Sequence, residues 1–327
     1  TPILSHFCFF DKKIHAYDGE FYISADSEIE LDSTVPGEFL YKFVTTFKDD
    51  IKFKKDSKNN SVTLTSGRSV NKLQGFPYKD FVCPKVTKGD HVKASLEVTE
   101  DLITAIKNMT PFIGDDDLFP QYMGLLLTSG YLYATNGRIV ARVKIGLDLK
   151  ESFFVPKVFC KELIRLSSEL EYLEIYDNFI RAYGKKDNNV VMFHSVADLE
   201  FPDCEGMFSS FKKDKKKLAM FKITDKFLEI LERVNLVGDV LVDKDCSLKF
   251  DKTCLQFEVN NKSFSHLVEK LTLKDCKIKD TLKVFIPSLV VCGKSSSEFG
   301  LMNLGKIKIL YFLNKDTKID LLMSLMN

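Results

Sequence analysis

The stretch Leu132-Tyr-Ala-Thr-Asn-Gly-Arg-Ile-Val-Ala141 carries the most distinctive local pattern in this chain of 327 residues. Apolar and polar residues alternate along it, which is typical of strands with one buried face. The pattern extends in both directions, so we expect strands at about 123–128, 131–135 and 138–144. A helix is predicted just before them, and Thr99 suits its N-cap. One helix followed by three strands is therefore the unit to look for elsewhere.

The same order recurs further along the chain. A second helix is predicted from Pro156 to about Ser168, and strands follow at about 172–176, 179–183 and 189–195. We therefore expect a β-α-β-β-β unit to be used twice in this region. A predicted helix at 224–236 starts the same order again.

Three strand-like segments indicate internal repeats of longer period. Each segment starts at a turn, alternates apolar with polar residues and ends in Asp or Asn. Each is followed by a proline and then by a stretch with helical apolar spacing. Proline suits the first turn of a helix, because its missing N–H costs nothing there. The segments are Gly19–Asp26, Gly130–Asn136 and Thr253–Asn261, and the prolines are Pro36, Pro156 and Pro287.

These repeats predict three domains, at residues 1–92, 93–213 and 214–327. The lysine-rich segment Lys212–Lys217 lies between the last two domains and is typical of a solvated linker. The first domain is predicted to begin directly with a strand and to lack the first helix. The fold class that we predict is α+β.

Composition limits the classes of function. The chain has 47 Lys and Arg residues against 46 Asp and Glu residues, so its net charge of +1 restricts any nucleic-acid contact to a localised patch. The eight cysteines and five histidines lack zinc-site spacing, which predicts free thiols in a reducing cytosol. No apolar run is long enough to predict a transmembrane helix, and no secretory signal is predicted at the start.

An enzyme is the main alternative class. Asp115, Asp116 and Asp117 are conceivable metal ligands, but no matching acidic cluster lies elsewhere in the sequence. The phosphate-binding pattern GxxxxGK[ST] and the nucleophile pattern GxSxG do not occur. We therefore predict no catalytic residue, no metal site and no cofactor, while an enzyme on the same fold stays open as an alternative.

Several motifs resemble those of the bacterial DNA sliding clamp, the DNA polymerase III beta subunit, and the resemblance covers essentially the whole chain. The stretch Leu132–Ala141 is similar to the family's ATDG-x-R-L-A signature, and Ser66–Ser69 is similar to its S-G-R-S strand. Thr1–Leu4, Phe201–Asp203 and Leu321–Asn327 are similar to the family's L-P-I-L strand, its F-P-D motif and its tail.

The chain departs from the family pattern at several points. Asn136 stands where the family has Asp, Pro287 where it has Asn, and Ser324 where its tail has Pro. Because that proline is replaced, we expect a mobile tail. The family's first strand and helix have no counterpart before Thr1, and we expect the natural protein to encode both.

The resemblance implies a three-fold repeat of clamp domains, each made of two β-α-β-β-β halves. Two chains joined head to tail would form a ring with helices inside and sheets outside. Such a ring encircles duplex DNA in the cytoplasm and acts as a processivity factor. The implied partners are duplex DNA, a second copy of the chain, and a DNA polymerase and clamp loader that dock through short linear motifs, with no membrane. A clamp-like protein serving repair or phage transcription stays open as an alternative.

Cations on the predicted helices form the first candidate site, a pore surface facing DNA. Lys157, Lys161 and Arg165 recur at i, i+4 and i+8 on one helix, away from its apolar face. Sequence-blind contacts to phosphates suit a protein that slides. A solvated helix face has the same spacing, and glutamates on these helices interrupt the pattern. The full predicted set is Lys42, Lys107, Lys157, Lys161, Arg165, Lys226 and Arg233.

The resemblance implies two further sites. One is a pocket for a partner peptide between the second and third domains, and the other is the joint between chains of the ring. Small and apolar side chains suit Leu or Phe anchors, although the same residues in strands are also typical of a core. The pocket residues are Tyr122, Thr135, Gly137, Arg138, Ile139, Val140, Val290, Leu322, Met323, Ser324 and Leu325, and the joint residues are Asn71, Leu73, Leu236 and Val237.

Overall fold

The computed structural model describes residues 2–56, 58–185, 190–196, 199–211, 218–239, 244–261, 265–273, 276, 278–304 and 307–326. The predicted linker Lys212–Lys217 lies outside the described residues. The helices are α1 (Gly37–Thr46), α2 (Glu100–Met109), α3 (Lys157–Arg165), α4 (Cys204–Phe211), α5 (Asp225–Gly238) and α6 (Ile286–Lys294). The strands are β1 (His6–Phe10), β2 (Lys13–Tyr17), β3 (Phe21–Asp26), β4 (Ser33–Pro36), β5 (Lys52–Asp56), β6 (Ser61–Ser66), β7 (Ser69–Gln74), β8 (Ala94–Glu97), β9 (Gly124–Thr128), β10 (Tyr131–Thr135), β11 (Ile139–Lys144), β12 (Phe153–Pro156), β13 (Leu170–Ile175), β14 (Phe179–Gly184), β15 (Val191–Ser195), β16 (Met220–Lys222), β17 (Asp245–Asp251), β18 (Cys254–Asn261), β19 (Ser265–Thr272), β20 (Asp280–Phe285), β21 (Glu298–Leu304), β22 (Ile307–Asn314) and β23 (Ile319–Ser324).

Antiparallel three-stranded meanders are the recurring element of the fold. Among the described residues, five of the six meanders follow a strand and a helix, as β9-β10-β11 follow β8 and α2. The remaining meander, β1-β2-β3, follows a 3₁₀ turn at Pro2–Ser5. The predicted β-α-β-β-β order is therefore confirmed, and so is the α+β fold class.

The repeat alignment that the sequence suggested is out by one strand in its first copy. Gly19–Asp26 contains β3, the third strand of its meander. Gly130–Asn136 and Thr253–Asn261 contain β10 and β18, which are middle strands. Since every strand alternates apolar and polar residues, the pattern does not distinguish a middle strand from its neighbour.

Helix starts agree with the local signals in the sequence. The Thr99 hydroxyl accepts a hydrogen bond from the Leu102 N–H at 3.2 Å, so the predicted N-cap of α2 is confirmed. Pro36 and Pro156 immediately precede α1 and α3, and Pro287 is the second residue of α6. The prolines therefore lie where a helix can tolerate the missing N–H.

Contacts between residues group the described chain into two compact units. Unit 1 comprises residues 1–103 and 158–198, and unit 2 comprises residues 104–157 and 199–327. Unit 1 has an eight-stranded sheet of order β4-β1-β2-β3-β15-β14-β13-β8 and a three-stranded sheet, β5-β6-β7. Unit 2 has an eight-stranded sheet of order β12-β9-β10-β11-β23-β22-β21-β16 and a four-stranded sheet, β19-β18-β17-β20. The division into domains at 1–92, 93–213 and 214–327 stays a prediction.

In each large sheet, one antiparallel pair joins two strands that are distant in sequence. In unit 1 this pair is β3–β15, which aligns Tyr22 with Phe193. In unit 2 it is the pair β11–β23, which aligns Val140 with Leu322 and Arg142 with Asp320. Both pairs place strands from well-separated parts of the sequence side by side.

The helices α5 and α6 pack against each other and against strands of unit 2, α5 against β18 and β19, and α6 against β20 and β23. α5 buries Phe227, Leu231 and Val234 at the helical spacing that its sequence predicts. Gly293 of α6 permits close packing, because a Cβ atom there would lie 2.3 Å from Leu231 Cδ1. This packing fixes the position of α6, whose first turn contributes to the cavity described below.

Unit 1 has its own apolar core beneath α1. Leu40 and Phe43 of α1 pack into a cluster that includes Phe9, Val35 and Leu64. Their spacing of three residues places both on one face of the helix. None of the described helices is long and apolar enough to cross a membrane.

Candidate functional site

A cavity of about 620 Å³ lies within unit 2, where four segments meet. These segments are the loop before β9, the turn between β10 and β11, the start of α6 and the end of β23. The cavity is lined by Gly114, Asp115, Asp116, Phe119, Tyr122, Asn136, Gly137, Arg138, Ile139, Phe285, Pro287, Ser288, Val291 and Ser324.

The β10–β11 turn forms the floor of this cavity and is fixed by side-chain hydrogen bonds. The Asn136 Oδ1 atom accepts from the backbone N–H groups of Arg138 and Ile139 at 3.0 and 2.9 Å. The buried Thr135 hydroxyl donates to the Ile139 carbonyl at 2.7 Å and accepts from the Gly137 N–H at 3.1 Å. These bonds satisfy backbone groups that the strand ladder leaves unpaired.

Gly137 is required both by the turn and by the cavity wall. Its φ of +82° lies in the region that L-residues with a side chain rarely adopt. A Cβ atom here would also lie 3.1 Å from Cε2 of Tyr122. Glycine therefore lets the tyrosine ring pack directly against the turn.

The loop before β9 supplies an aromatic and acidic wall. The Gly114 N–H donates to the Tyr122 carbonyl at 2.8 Å, which closes the loop. The Asp116 carboxylate accepts from the Leu118 N–H at 3.0 Å. The rings of Phe119 and Tyr122 stack with centroids 5.6 Å apart. Leu118, beside this wall, is 82% exposed.

Lys157 braces the acidic loop rather than forming an open cationic surface. Its ammonium is ion-paired with Asp115 and lies 3.4 Å from the carbonyl oxygens of Ile113 and Gly114. The side chain is only 13% exposed. Lys157 was expected to lie on an exposed stripe of cations. It does not, because its partner carboxylate comes from a segment distant in sequence.

The start of α6 supplies the opposite wall. Ser288 lines the cavity and is only 4% exposed. The guanidinium of Arg138 lies over the ring of Phe285, 4.3 Å from its centroid, in a cation–π contact. Val290, which the family resemblance implied for the pocket, is buried in α6, and the neighbouring Val291 lines the cavity.

The end of β23 is held in place rather than free. The backbone N–H of Ser324 donates to the Arg138 carbonyl at 2.9 Å, and the Ser324 hydroxyl donates to the same oxygen at 3.1 Å. The Met326 N–H donates to the Lys283 carbonyl at 2.8 Å. A proline at position 324 lacks the first donor. The expected mobility of the tail is therefore not supported.

Only part of the predicted pocket set lines this cavity. Tyr122, Gly137, Arg138, Ile139 and Ser324 line it, and Thr135 holds the turn from below. The remaining predicted residues, Val140, Val290, Leu322, Met323 and Leu325, are not among the residues that line it.

Strand alternation explains why two of these residues turn away. Val140 and Leu322 are cross-strand partners and pack with Tyr133 and Phe208 in a hydrophobic cluster. Neighbouring residues of a strand point to opposite faces, so Ile139 can line the cavity while Val140 does not. Asp115, Asp116 and Phe119 also line the cavity but were not predicted as pocket residues, although the run of three aspartates followed by Leu118 is visible in the sequence.

A buried ion pair links β11 to β23 next to the cavity. Arg142, only 7% exposed, donates from Nε and Nη2 to Asp320 at 3.0 and 2.8 Å. Its guanidinium lies 4.0 Å from the centroid of the Phe208 ring. Tyr311 also donates to Asp320, and burial together with that carboxylate raises the pKa of the phenol. These contacts tie β11, β22, β23 and α4 together.

Most of the predicted pore cations have carboxylate partners. Lys42 pairs with Glu38 at 2.5 Å, Arg165 with Glu162 at 2.6 Å, and Lys226 with Glu229 at 3.7 Å. These pairs lie at the surface, so they contribute little to stability and leave the cation accessible.

Three predicted cations depart from these simple surface pairs. Arg233 donates to Glu269 of β19 from Nε at 2.6 Å and from Nη2 at 3.3 Å, and this hydrogen bonding lowers the pKa of Glu269. Lys107 and Lys161 are exposed, and within the described residues neither has an ion-pair partner. Lys107 and Lys161 are therefore the members of the predicted set whose charge is not neutralised by a carboxylate of the described residues.

The predicted joint residues differ in exposure. Leu236, near the end of α5, is 70% exposed, and Val237 is half-buried. Asn71 is half-buried on β7, whereas Leu73 packs into the core of unit 1.

In the part of the chain that the structure describes, no group of three His, Cys, Asp or Glu residues could hold a metal ion.

Comparisons with known proteins bear on the fold. No protein-family model matches the chain, and no curated protein sequence matches it. Solved structures do match. A DNA polymerase III subunit beta sliding clamp from Bartonella birtlesii has a TM-score of 0.82 at 17% identity, covering 100% of this chain and 92% of that one.

Two further structures agree. The DNA polymerase sliding clamp from Pseudomonas aeruginosa has a TM-score of 0.79 at 17% identity, covering 100% of this chain and 93% of that one. The DNA polymerase beta subunit of Streptococcus pyogenes has a TM-score of 0.75 at 15% identity, with coverage of 100% and 92%. The resemblance inferred from the sequence motifs is thus confirmed at the level of structure, and the chain has the fold of the bacterial sliding clamps.

Proposed function

We propose that this protein is a DNA polymerase processivity factor, a sliding clamp that encircles duplex DNA and tethers a replicative polymerase. The observation that carries this proposal is the likeness to clamp structures over the full chain. The cavity in unit 2 adds to it, because it includes the Gly137–Ile139 part of the motif that first suggested the family.

The proposed ring forms from two chains joined head to tail. Val70 on the edge strand β7 and Leu236 at the end of α5 are large exposed apolar side chains. Edge strands with unpaired backbone groups are suited to pairing with a second chain. We place the joint at Asn71 and at Leu236–Val237, whereas Leu73 supports β7 from the core.

The proposed DNA contact is electrostatic and weak. Lys107 and Lys161 are its exposed cations without a carboxylate partner in the described residues, while glutamates partly neutralise Lys42, Arg165, Lys226 and Arg233. A surface of this kind attracts phosphates without reading bases, which suits sliding. Lys157 acts on the cavity loop and contributes little to this surface.

The proposed polymerase and clamp-loader contact is the unit 2 cavity. Its volume and its aromatic wall suit a short peptide with apolar anchors. Few side chains of such a peptide carry most of its binding energy. The protein acts in this proposal as a platform, so no residue is assigned a catalytic role.

Light scattering after gel filtration tests the proposed ring. The expected mass is about twice the 37.4 kDa of one chain. Leu236→Asp should shift the protein towards the monomer, because it places a charge in an apolar joint. Met207→Asp is the matched control, since Met207 is also an exposed apolar residue but lies on α4. A wild-type protein that is monomeric at all accessible concentrations would contradict the ring.

Charge reversal tests the proposed pore surface. The pair Lys107→Glu and Lys161→Glu should weaken binding to DNA and lower the salt slope by about 0.9 for each lost phosphate contact. Lys252→Glu is the control, because Lys252 is exposed in a turn between β17 and β18. An equal loss in the control would show that net charge alone governs the binding.

A further inference from the structure

The unit 2 cavity is lined by a hydroxyl group that has no protein partner within the described residues. The Ser288 side chain lines the cavity and is almost fully buried, yet its hydroxyl has no hydrogen-bond partner within the described residues. The hydroxyl oxygen is not one of the fully buried unsatisfied atoms of the described residues, so it is accessible from the cavity and free to bond a ligand or an ordered water. This observation points to a ligand with a polar group at the α6 end of the cavity.

The charges around the cavity are unevenly placed. The Asp115 carboxylate is paired with Lys157, so the pair is neutral overall. Asp116 accepts only a backbone N–H, and Asp117 is exposed beside it; within the described residues neither has a cationic partner. The cavity cation, Arg138, lies over the Phe285 ring at the other wall. The loop before β9 therefore carries uncompensated negative charge.

Apolar surface accompanies that charge. Leu118 follows the two carboxylates and is the most exposed of the large hydrophobic residues. Phe119 and Tyr122 continue the apolar surface into the cavity as a stacked pair. An exposed apolar patch with a charged rim is typical of a protein–protein contact.

We propose that the peptide segment bound in this cavity carries a basic side chain beside its apolar anchors. This inference rests on the proposed function of the cavity and specifies the chemistry of its ligand. The cation lies at Asp116 and Asp117, an apolar anchor lies against Leu118 and Phe119, and a polar group of the segment pairs with the Ser288 hydroxyl. Nucleic acid is disfavoured here, because the carboxylates repel phosphates.

Fluorescence anisotropy with three labelled peptides tests the proposal. All three carry the same Leu and Phe anchors, and they differ only in having Lys, Gln or Glu at one position beside the anchors. The Lys peptide should bind about threefold tighter than the Gln peptide and about tenfold tighter than the Glu peptide, as for exposed charge pairs. The difference should shrink at high salt, since exposed charges are screened.

Two protein variants locate the effect. Asp116→Asn combined with Asp117→Asn should remove most of the preference for Lys, while the amide at 116 can still accept the Leu118 N–H. Asp148→Asn, an exposed change elsewhere in unit 2, should leave the preference intact. Ser288→Ala should weaken all three peptides by about fivefold, because it removes one hydrogen bond without changing charge.

The possible outcomes separate this inference from the function on which it rests. Equal affinity for the three peptides would overturn the basic ligand and leave the peptide site standing. An unchanged preference in the double variant would overturn the role of Asp116 and Asp117. Binding of none of the peptides to wild-type protein would overturn the peptide site itself, and with it the inference.

Discussion

Two turns, one in each unit, share a backbone hydrogen-bond pattern and differ in what surrounds them. Asp18 and Asn136 each accept from the backbone N–H groups two and three residues further on, at 2.9 and 2.7 Å for Asp18 and at 3.0 and 2.9 Å for Asn136. A glycine follows in each turn, with φ of +112° at Gly19 and +82° at Gly137. The turn before β3 is thus the counterpart of the turn before β11.

The strands next to these turns, β15 in unit 1 and β23 in unit 2, also correspond to each other. Ser195 donates its backbone N–H to the Glu20 carbonyl at 3.1 Å, and Ser324 donates its backbone N–H to the Arg138 carbonyl at 2.9 Å. Each serine hydroxyl reaches the same carbonyl, at 3.4 and 3.1 Å. This hydrogen-bonded frame belongs to the fold and does not by itself make a binding site.

Side chains distinguish the two frames. The cross-strand pair Arg142–Asp320 in unit 2 corresponds to Ser24–Val191 in unit 1. The unit 2 turn also packs against Tyr122, whereas a Cβ atom at Gly19 would meet only Leu4, at 3.7 Å. The same backbone frame borders the cavity in unit 2, where the Arg142–Asp320 ion pair fixes the strands and Tyr122 packs against the turn.

Breaking the buried ion pair between β11 and β23 should cost the most stability. Asp320→Ala should destabilise the fold by about 3–5 kcal/mol, because it leaves the Arg142 guanidinium buried without its carboxylate. Urea unfolding measures this loss. The double variant Arg142→Leu with Asp320→Leu should recover most of the stability, since it removes both buried charges. A cost below about 1 kcal/mol for Asp320→Ala would show that the ion pair does not hold β11 and β23 together.

Substituting the two turn glycines separates fold from site. Gly137→Ala and Gly19→Ala should each destabilise the protein by about 1–3 kcal/mol through backbone strain. Only Gly137→Ala should also weaken peptide binding, by about tenfold, because the added methyl group displaces Tyr122. Anisotropy on both folded variants checks this. An equal loss of affinity in the two variants would show that contact with Tyr122 does not explain the effect of Gly137→Ala on binding.

Hydroxyl removal at the turns should have a smaller effect. Thr135→Val should cost about 1–2 kcal/mol, because the buried hydroxyl bridges Ile139 and Gly137. Tyr17 occupies the corresponding position in unit 1, and its exposed hydroxyl donates to the Gly19 carbonyl at 2.6 Å. Tyr17→Phe should therefore cost less than about 0.5 kcal/mol. Thermal unfolding of both variants tests whether burial explains the difference.

The smallest expected effect is a pH dependence confined to unit 1. Burial lowers the pKa of His15 below its ordinary value of 6.5, so the unfolded chain binds a proton more readily than the folded one. Stability should therefore be full above about pH 6.5 and fall as the pH drops through the lower folded pKa. Urea unfolding at pH 7.5 and 5.5 checks this for wild type and His15→Gln. The variant should lose less stability on acidification than wild type.

The fold was largely predictable from the sequence because its signals are local. The strands β9, β10 and β11 begin and end within one residue of the expected bounds, and the Thr99 cap lies where the sequence places it. The repeat order was also visible. The exact alignment of the first repeat was not, since alternation alone does not say which strand of a meander is the middle one.

The site was less predictable because its contacts are long-range. Helix spacing placed Lys157 and Arg233 on accessible faces, but their partners, Asp115 and Glu269, come from loops and strands far along the chain. Likewise, which of Ile139 and Val140 lines the cavity depends on the face that a strand presents. These features follow from tertiary packing, which a local pattern does not encode.

Retention on circular DNA distinguishes a ring that encircles the duplex from a protein that only binds to its surface. The protein is assembled on a nicked circular plasmid by its clamp loader with ATP, and the complex is then passed through gel filtration at high salt, before and after the plasmid is cut once. A ring held by topology should stay with the circle and leave once the DNA has ends, because its electrostatic contacts are screened. Equal release from the circular and the cut plasmid would contradict the sliding clamp.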